Sequence, residues 1–170
     1  MQGVDQERST ASTTDDGTPR CPSLIVLSQR MAEHVFAPVG TMIAISITSP
    51  GVRRAHLPPD YLITLRAEFD DVDVLTPPPS STPLSDGLAR HIARFVRTNI
   101  VQGVDGIMVH CYYGAGRSAG VALGIADGMD YPLATIMALE DEFPIHNRGV
   151  RLRVAQAFRD TAGRSEGETA

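Results

Sequence analysis

The sequence predicts an α/β domain in which helices flank a central, mainly parallel sheet of about four to five strands. Short β-branched runs alternate with longer amphipathic segments, and the last part of the chain reads as helical, which is the pattern of an α/β fold. Hydrophobic residues make up 42% and charged residues 21% of the chain, as in ordinary globular proteins. A length of 170 residues favours one domain that can bury a core without disulfides or metals.

The strand predictions rest on four short apolar runs, three of which are rich in β-branched residues. The second run is closed by Ser49, Pro50 and Gly51, and the fourth is opened by the turn pair Asp105–Gly106. The predicted strands are 23–28, 41–48, 61–69 and 106–111.

The helix predictions rest on apolar stripes with arginines off the stripe. Thr82 followed by Pro83 suits an N-cap and a first-turn proline for the second helix. Gly120, Gly124 and Gly128 recur every four residues in the third helix, so we expect that helix to be buried and packed closely against the sheet. The predicted helices are 29–36, 84–100, 117 to about 129, 133–142 and 149–162.

The ends of the chain differ from this pattern. Residues 1–20 are rich in Ser, Thr, Asp, Gln and Gly, and 164–170 are similar, so we expect two disordered tails around a domain at 21–163. The first twenty residues contain no apolar segment, and two cysteines form no framework, so we expect no secretory signal and a cytoplasmic location. A net charge of −5 argues against nucleic-acid binding, and no apolar run is long enough for a membrane span.

The stretch VHCYYGAGRSAG, residues 109–120, has the arrangement of a phosphate-binding loop. A strand ends near His110, a loop with Gly114 and Gly116 follows, and a helix starts at about Arg117. Consecutive backbone N–H groups in such a loop form an anion nest, and the helix N-terminus adds partial positive charge. We therefore expect the loop residues to bind a phosphoryl group; they are Tyr112, Tyr113, Gly114, Ala115, Gly116 and Arg117.

Cys111 lies at the base of this loop and is the candidate nucleophile. A helix N-terminus and nearby cations lower the pKa of a thiol below its ordinary value of about 8.5, and the thiolate is the attacking species. The planar fork of Arg117 matches two phosphoryl oxygens, and Ser118 can hydrogen-bond the sulfur as it leaves. His110 is expected to orient the loop through backbone contacts rather than to act as a base.

The segment HCYYGAGRS resembles the H-C-x-x-G-x-x-R-S/T signature of cysteine-dependent protein tyrosine and dual-specificity phosphatases, most closely the small prokaryotic type. The resemblance covers residues 22 to about 162, with the signature as its specific part. It implies a dual-specificity-phosphatase-like fold, a cysteinyl-phosphate intermediate and no metal or cofactor. It also implies a phosphorylated protein, with phosphotyrosine favoured, or a small phosphomonoester as substrate. A binding pseudophosphatase and a phosphatase for a non-protein phosphomonoester are the alternatives.

A family member also needs an acid to protonate the leaving group, and Asp70, Asp71 and Asp73 lie in the expected region. If Leu65 and Phe69 face one side of their strand, Asp71 continues that side, so Asp71 is the preferred candidate. The same resemblance makes Asn147 a brace for the phosphate loop, although a helix N-cap is an equal reading. Tyr112 and Tyr113 either line the pocket mouth or pack inward. The other histidines, His34, His56, His91 and His146, show no metal-ligand spacing.

Overall fold

A computed structural model describes residues 21–162 of the chain. The segments predicted as disordered tails, 1–20 and 164–170, lie outside the described residues. The described part contains four strands and five helices: β1 (Ser23–Ser28), α1 (Gln29–His34), β2 (Met42–Thr48), β3 (Ile63–Glu68), α2 (Asp86–Val101), β4 (Gly106–Cys111), α3 (Arg117–Gly128), α4 (Leu133–Glu142) and α5 (Arg148–Ala162).

The four strands form one parallel sheet in the order β1-β4-β2-β3. This confirms the predicted α/β class with a parallel central sheet. Because every strand runs in the same direction, their carboxyl ends meet at one edge of the sheet, which is where open α/β sheets bind ligands. The last residue of the inner strand β4 is Cys111, so the candidate nucleophile stands at that edge.

The side chains of the inner strands β2 and β4 point alternately to the two faces of the sheet, and both faces are covered. Every residue of β2 and β4 is buried, which explains why both read as apolar runs rather than as half-polar strands. On one face Ile43, Ile45 and Val109 join the main core with α2, α3 and α5. On the other face Ala44 and Met108 pack with Ala32 of α1 and with the loops beside it.

Helix α3 is buried along almost its whole length, and its glycine ridge faces α5 rather than the sheet. A Cβ built on Gly124 would stand 2.7 Å from the carbonyl oxygen of Arg151 and 2.7 Å from the Cβ of Val154. The helix is buried, as predicted, and it contacts β4 and β1; its glycines, however, face α5, where the small residues let the two helices approach each other. No helix within residues 21–162 is both long and apolar enough to cross a membrane.

The start of α2 also differs from the prediction. The N-cap is Ser85, whose side chain accepts a hydrogen bond from the backbone N–H of Leu88 at 3.2 Å. Thr82 is instead paired with Asp70: its carbonyl accepts from the Asp70 N–H at 2.7 Å, and its own N–H donates to Asp70 Oδ2 at 2.8 Å. This contact between distant parts of the chain holds Thr82 outside the helix, which begins at Asp86.

Candidate active site

The loop between β4 and α3 packs closely against the backbone at the end of β1. Gly114 has φ +78°, and a Cβ at this position would stand 2.5 Å from the backbone nitrogen of Ser28 and 2.7 Å from the carbonyl carbon of Leu27. Only glycine fits such a position comfortably. Glycine is thus required at the third loop position of the signature, both by the backbone conformation and by the close approach of β1.

The Cys111 thiol is 2% exposed and lies among hydrogen-bond donors. The backbone N–H of Gly114 donates to Sγ at 3.3 Å, and the hydroxyl of Ser118 lies 3.1 Å from Sγ. The N-terminus of α3 begins only six residues after the cysteine, so its partial positive charge acts on the same region. The sulfur therefore has polar contacts on the phosphate-loop side although it is buried.

Arg117 is only 7% exposed and is held by the ends of two neighbouring strands. Its Nη1 donates to the carbonyl of Phe69 at 2.8 Å and to the hydroxyl of Ser49 at 3.1 Å. Its Nε is buried and has no hydrogen-bond partner within residues 21–162. A buried donor without a partner is costly, and an oxygen of a bound phosphoryl group would satisfy it.

Asp71 is the acidic residue that the structure brings to the phosphate loop. A Cβ built on Gly116 would collide with Oδ2 of Asp71, so the carboxylate lies directly against the loop. Its other oxygen, Oδ1, accepts from Nδ2 of Asn147 at 2.9 Å. The side chain is exposed at the edge of the loop.

The two neighbouring aspartates accept hydrogen bonds from other backbone segments. Oδ2 of Asp70 accepts from the Thr82 N–H, and Oδ1 of Asp73 accepts from the Leu75 N–H at 2.8 Å. The hydrogen bond from Thr82, a further one from Ser49 and the charge of Arg117 hold the pKa of Asp70 below its usual value. A carboxyl group held in its ionised form is a poor proton donor at neutral pH.

Asn147 connects the acid, the phosphate loop and α5. Its backbone N–H donates to the carbonyl of Gly116 at 3.1 Å, and its Oδ1 caps α5 by accepting from the Val150 N–H at 3.0 Å. Its Nδ2 donates to Asp71 and, at 3.1 Å, to the carbonyl of Val72. The two alternative readings, loop brace and helix cap, therefore describe different parts of the same residue: its backbone N–H contacts the phosphate loop, and its side chain caps α5.

Tyr112 and Tyr113 project from the phosphate loop. They are 59% and 81% exposed, and their rings meet edge to face with centroids 4.8 Å apart. The alternative in which one of them packs inward is wrong for both. Ala115, between the two loop glycines, is half-buried, and nothing basic accompanies Arg117 within the loop.

His110 points to the sheet face opposite the thiol. Its Nε2 lies 2.8 Å from the hydroxyl of Ser46, which also accepts from Nη1 of Arg66 at 2.8 Å. Burial and the charge of Arg66 lower the pKa of His110 to about 4, against the opposite influence of the Cys111 backbone and Glu33. The imidazole is thus neutral at pH 7. Sequence reasoning missed both Ser46 and Arg66; the only available signal was a polar residue within each apolar strand.

No group of three or more His, Cys, Asp or Glu residues that could hold a metal ion occurs between residues 21 and 162. The elements of the site are supplied by strand ends and by the N-termini of α3 and α5. A buried thiol, an arginine whose buried Nε–H has no partner within the described residues and a carboxyl group against the same loop are together suited to transfer of a phosphoryl group.

No protein-family model matches the chain, and no curated protein matches it significantly. Solved structures do match. Human DUSP28 has a TM-score of 0.57 at 17% identity, with 85% of this chain and 96% of that chain covered. A mouse putative dual-specificity phosphatase, complexed with zinc tungstate, has a TM-score of 0.58 at 15% identity, with 92% and 97% covered. PTPMT1 in complex with PI(5)P has a TM-score of 0.52 at 11% identity, with 84% and 94% covered.

These similarities confirm, at the level of fold, the resemblance drawn from the signature. The chain has a dual-specificity-phosphatase-like α/β fold, and phosphatases are among its fold neighbours. The assignment to the small prokaryotic type stays a prediction. Identities of 11–17% do not transfer an activity or a substrate, so the function has to be argued from the site itself.

Proposed function

We propose that this protein is a cysteine-dependent phosphomonoester hydrolase of the protein tyrosine or dual-specificity type. One observation carries the proposal: the phosphate loop donates a backbone N–H to Sγ of Cys111, the Ser118 hydroxyl lies 3.1 Å from the same sulfur, and the loop ends at Arg117, whose buried Nε has no hydrogen-bond partner within the described residues. The carboxylate of Asp71, which lies against Gly116 of the same loop, supports it.

In the first step the thiolate of Cys111 attacks phosphorus, so an S–P bond forms as the bond from phosphorus to the ester oxygen breaks. The ester oxygen leaves with a proton from the carboxyl group of Asp71, which becomes a carboxylate. Arg117 and the loop N–H groups stabilise the charge that develops on the three equatorial oxygens. The products of this step are an alcohol or phenol and a cysteinyl phosphate.

In the second step water attacks the phosphorus of the cysteinyl phosphate. The Asp71 carboxylate takes a proton from that water, the S–P bond breaks, and inorganic phosphate is released. The hydroxyl of Ser118, 3.1 Å from Sγ, donates to the departing thiolate and lowers the energy of the leaving sulfur. Every proton is returned, so the cycle needs no cofactor.

Phosphotyrosine in a protein is the substrate that the loop favours. Two exposed aromatic rings, Tyr112 and Tyr113, flank the entrance and can contact an aromatic leaving group. The loop interior has no Lys or Arg apart from Arg117, which gives little compensation for a second phosphate. PTPMT1, a fold neighbour, was solved with PI(5)P, but a polyanionic lipid headgroup fits this neutral loop interior less well.

The proposal is tested by hydrolysis of an aryl phosphate without added metal, with and without vanadate. Wild type is compared with Cys111→Ser and with Cys21→Ser, which alters the other, exposed cysteine. We expect turnover by wild type and Cys21→Ser, inhibition by vanadate and no turnover by Cys111→Ser. A panel of phosphotyrosine, phosphoserine and phosphoinositide substrates then ranks the leaving groups, with phosphotyrosine expected first.

Folded wild type that is inactive on the whole panel from mildly acidic to neutral pH would overturn the enzymatic proposal. Tight binding of phosphopeptides by that inactive protein would then favour the pseudophosphatase. Turnover that is confined to a small or lipid phosphomonoester would keep the mechanism and replace the phosphoprotein as substrate.

A further inference from the structure

A groove of about 640 Å³ lies between α2 and β3, which is an outer strand of the sheet. Along the helix it extends from Gly87 to Gln102, a distance of about 22 Å at the usual rise per residue. The lining positions of α2 recur at the three- and four-residue spacing of one helix face. On the other side the groove is bounded by Leu62 and Ile63 at the start of β3. Its volume is in the range of clefts that bind ligands.

The groove is basic although the chain has a net charge of −5. Arg90, His91 and Arg94 line it with exposed side chains, and no acidic residue of the described part of the chain lines it. The ion pairs within residues 21–162 involve other basic side chains, so Arg90 and Arg94 have no carboxylate partner there. Like charges one helical turn apart are unfavourable, and an acidic ligand between these two arginines would relieve that repulsion.

The same groove offers apolar surface and a hydrogen-bond acceptor. Leu62 and Ile63 are 53% and 46% exposed, and Phe95 is half-buried between the groove and the main core. Asn99 is 6% exposed; its Nδ2 donates to the carbonyl of Phe95 at 2.7 Å, and its Oδ1 accepts no hydrogen bond from the described residues. A peptide N–H can donate to that oxygen, and an edge strand such as β3 leaves one side of its backbone outside the ladder. These groups match a peptide chain better than a small anion.

The groove begins at the sheet edge that carries the phosphate loop. Thr82, just before α2, is hydrogen-bonded to Asp70, which follows β3 at the carboxyl edge of the sheet. The helix therefore starts near that edge, and it ends near Asp105, whose N–H donates to the carbonyl of Thr41 at the opposite edge. At about 3.3 Å per residue, an extended segment of about seven residues fills the length of the groove. Such a segment can belong to a protein whose phosphorylated residue enters the phosphate loop.

We propose that this groove is a docking site for an extended, acidic segment of the phosphoprotein substrate. Arg90 and Arg94 pair with the carboxylates of the segment, and its apolar side chains pack on Leu62, Ile63 and Phe95. The site is separate from the phosphate loop and takes no part in bond breaking. Peptide binding follows from the groove alone, whereas the identity of the bound protein as the substrate rests on the proposed function.

Binding is measured by fluorescence polarisation of a labelled peptide of alternating Glu and Leu, whose carboxylates lie on one side when it is extended. We expect wild type to bind this peptide, and to bind it less well as salt is raised. The double variant Arg90→Gln with Arg94→Gln should raise Kd about five-fold or more. Arg159→Glu, on an exposed part of α5, makes the same change in net charge and should bind the peptide like wild type.

Backbone amide NMR of nitrogen-15-labelled protein locates the bound peptide. We expect the signals of Ile63, Thr98 and Gln102 to move on binding and that of Gly114 in the phosphate loop to stay. Failure of wild type to bind, an unchanged Kd in the folded double variant, or shifts confined to the phosphate loop would each overturn the docking site. Binding of anionic vesicles or single-stranded RNA in preference to the peptide would also overturn it.

Kinetics test whether the docked protein is the substrate, with a phosphotyrosine peptide that carries or lacks an acidic extension. For the extended peptide the double variant should raise KM about five-fold and leave kcat unchanged, and its turnover of a small aryl phosphate should match wild type. An equal KM in wild type and the double variant would refute docking of the substrate. Peptide binding by a wild type that hydrolyses no phosphomonoester would refute the proposed function and keep the docking site, so the two failures are distinguishable.

Discussion

Replacement of Asn147 by Asp tests the placement of the general acid most sharply. Oδ1 of the asparagine caps α5, and an aspartate keeps that acceptor. Nδ2, however, lies 2.9 Å from Oδ1 of Asp71, so Asn147→Asp exchanges a donor for a second negative charge at that distance. In a largely aqueous setting two unit charges 2.9 Å apart repel by about 1.4 kcal/mol, which corresponds to about one pH unit.

The assay is the pH dependence of kcat/KM for an aryl phosphate. A nearby like charge disfavours ionisation of the acid, so the acid stays protonated to higher pH. We expect the alkaline limb of the profile in Asn147→Asp to move upward by about one unit, and to return towards wild type at high salt, which screens exposed charges.

Two control variants separate charge from structure. Asn147→Ala removes both donor and cap, so it should lose about 1 kcal/mol of stability; loss of the donor to Asp71 should move the limb upward by less than in Asn147→Asp, and this smaller movement should not depend on salt. Asp73→Asn changes a neighbouring carboxyl group that is bound to its own turn, and its limb should match wild type. An unmoved alkaline limb in folded Asn147→Asp would refute Asp71 as the proton donor.

Three further changes concern stability and pH. Gly124→Ala should lower the free energy of unfolding by about 1–2 kcal/mol, because its Cβ would meet the backbone of α5. Gly87→Ala should be neutral or slightly stabilising, because a Cβ there would have no contact nearer than 3.9 Å. Thermal unfolding distinguishes the two variants. The pKa of His110 is about 4 in the folded protein and about 6.5 in the unfolded chain. The stability that the neutral ring contributes is therefore fully present above about pH 6.5, and it is lost as the pH falls towards 4 because the unfolded chain takes up a proton first. The free energy of unfolding of wild type, measured with urea, should therefore fall by up to about 3 kcal/mol more than that of His110→Asn over that pH window. An equal dependence of the unfolding free energy on pH in the two proteins would contradict the neutral buried ring. Arg151→Met should cost about 1–3 kcal/mol in denaturant unfolding because the guanidinium joins α5 to carboxylates of α3 and α4, while Arg159→Met on an exposed surface should cost little.

The nucleophilic loop could be read from the sequence because its determinants are local. A strand end, glycines at fixed positions and a helix start occupy one short stretch, and in the structure β4 ends at Cys111 and α3 begins at Arg117. Strand alternation also carried information: Leu65, Ala67 and Phe69 are buried on one face, and Asp71 continues that parity to lie against Gly116.

Other features depended on contacts between distant residues. Thr82 looked like a helix cap by local composition, but its pairing with Asp70, twelve residues earlier, competes with that role. Ser46 and Arg66 are single polar residues within their own strands, and their contact with each other and with His110 arises only from the register of β2 with β3 and β4. Periodicity indicated parallel strands but could not give their order, which places β4 between β1 and β2.

The most direct test of the central claim is to trap the phosphorylated enzyme. Wild type is mixed with a phosphorus-32-labelled phosphotyrosine peptide, quenched in the first turnover, digested and analysed by mass spectrometry. Our account predicts one labelled peptide, the one that contains Cys111, and no label in Cys111→Ser. Continued turnover by Cys111→Ser, or label on any other residue, would contradict nucleophilic attack by this cysteine.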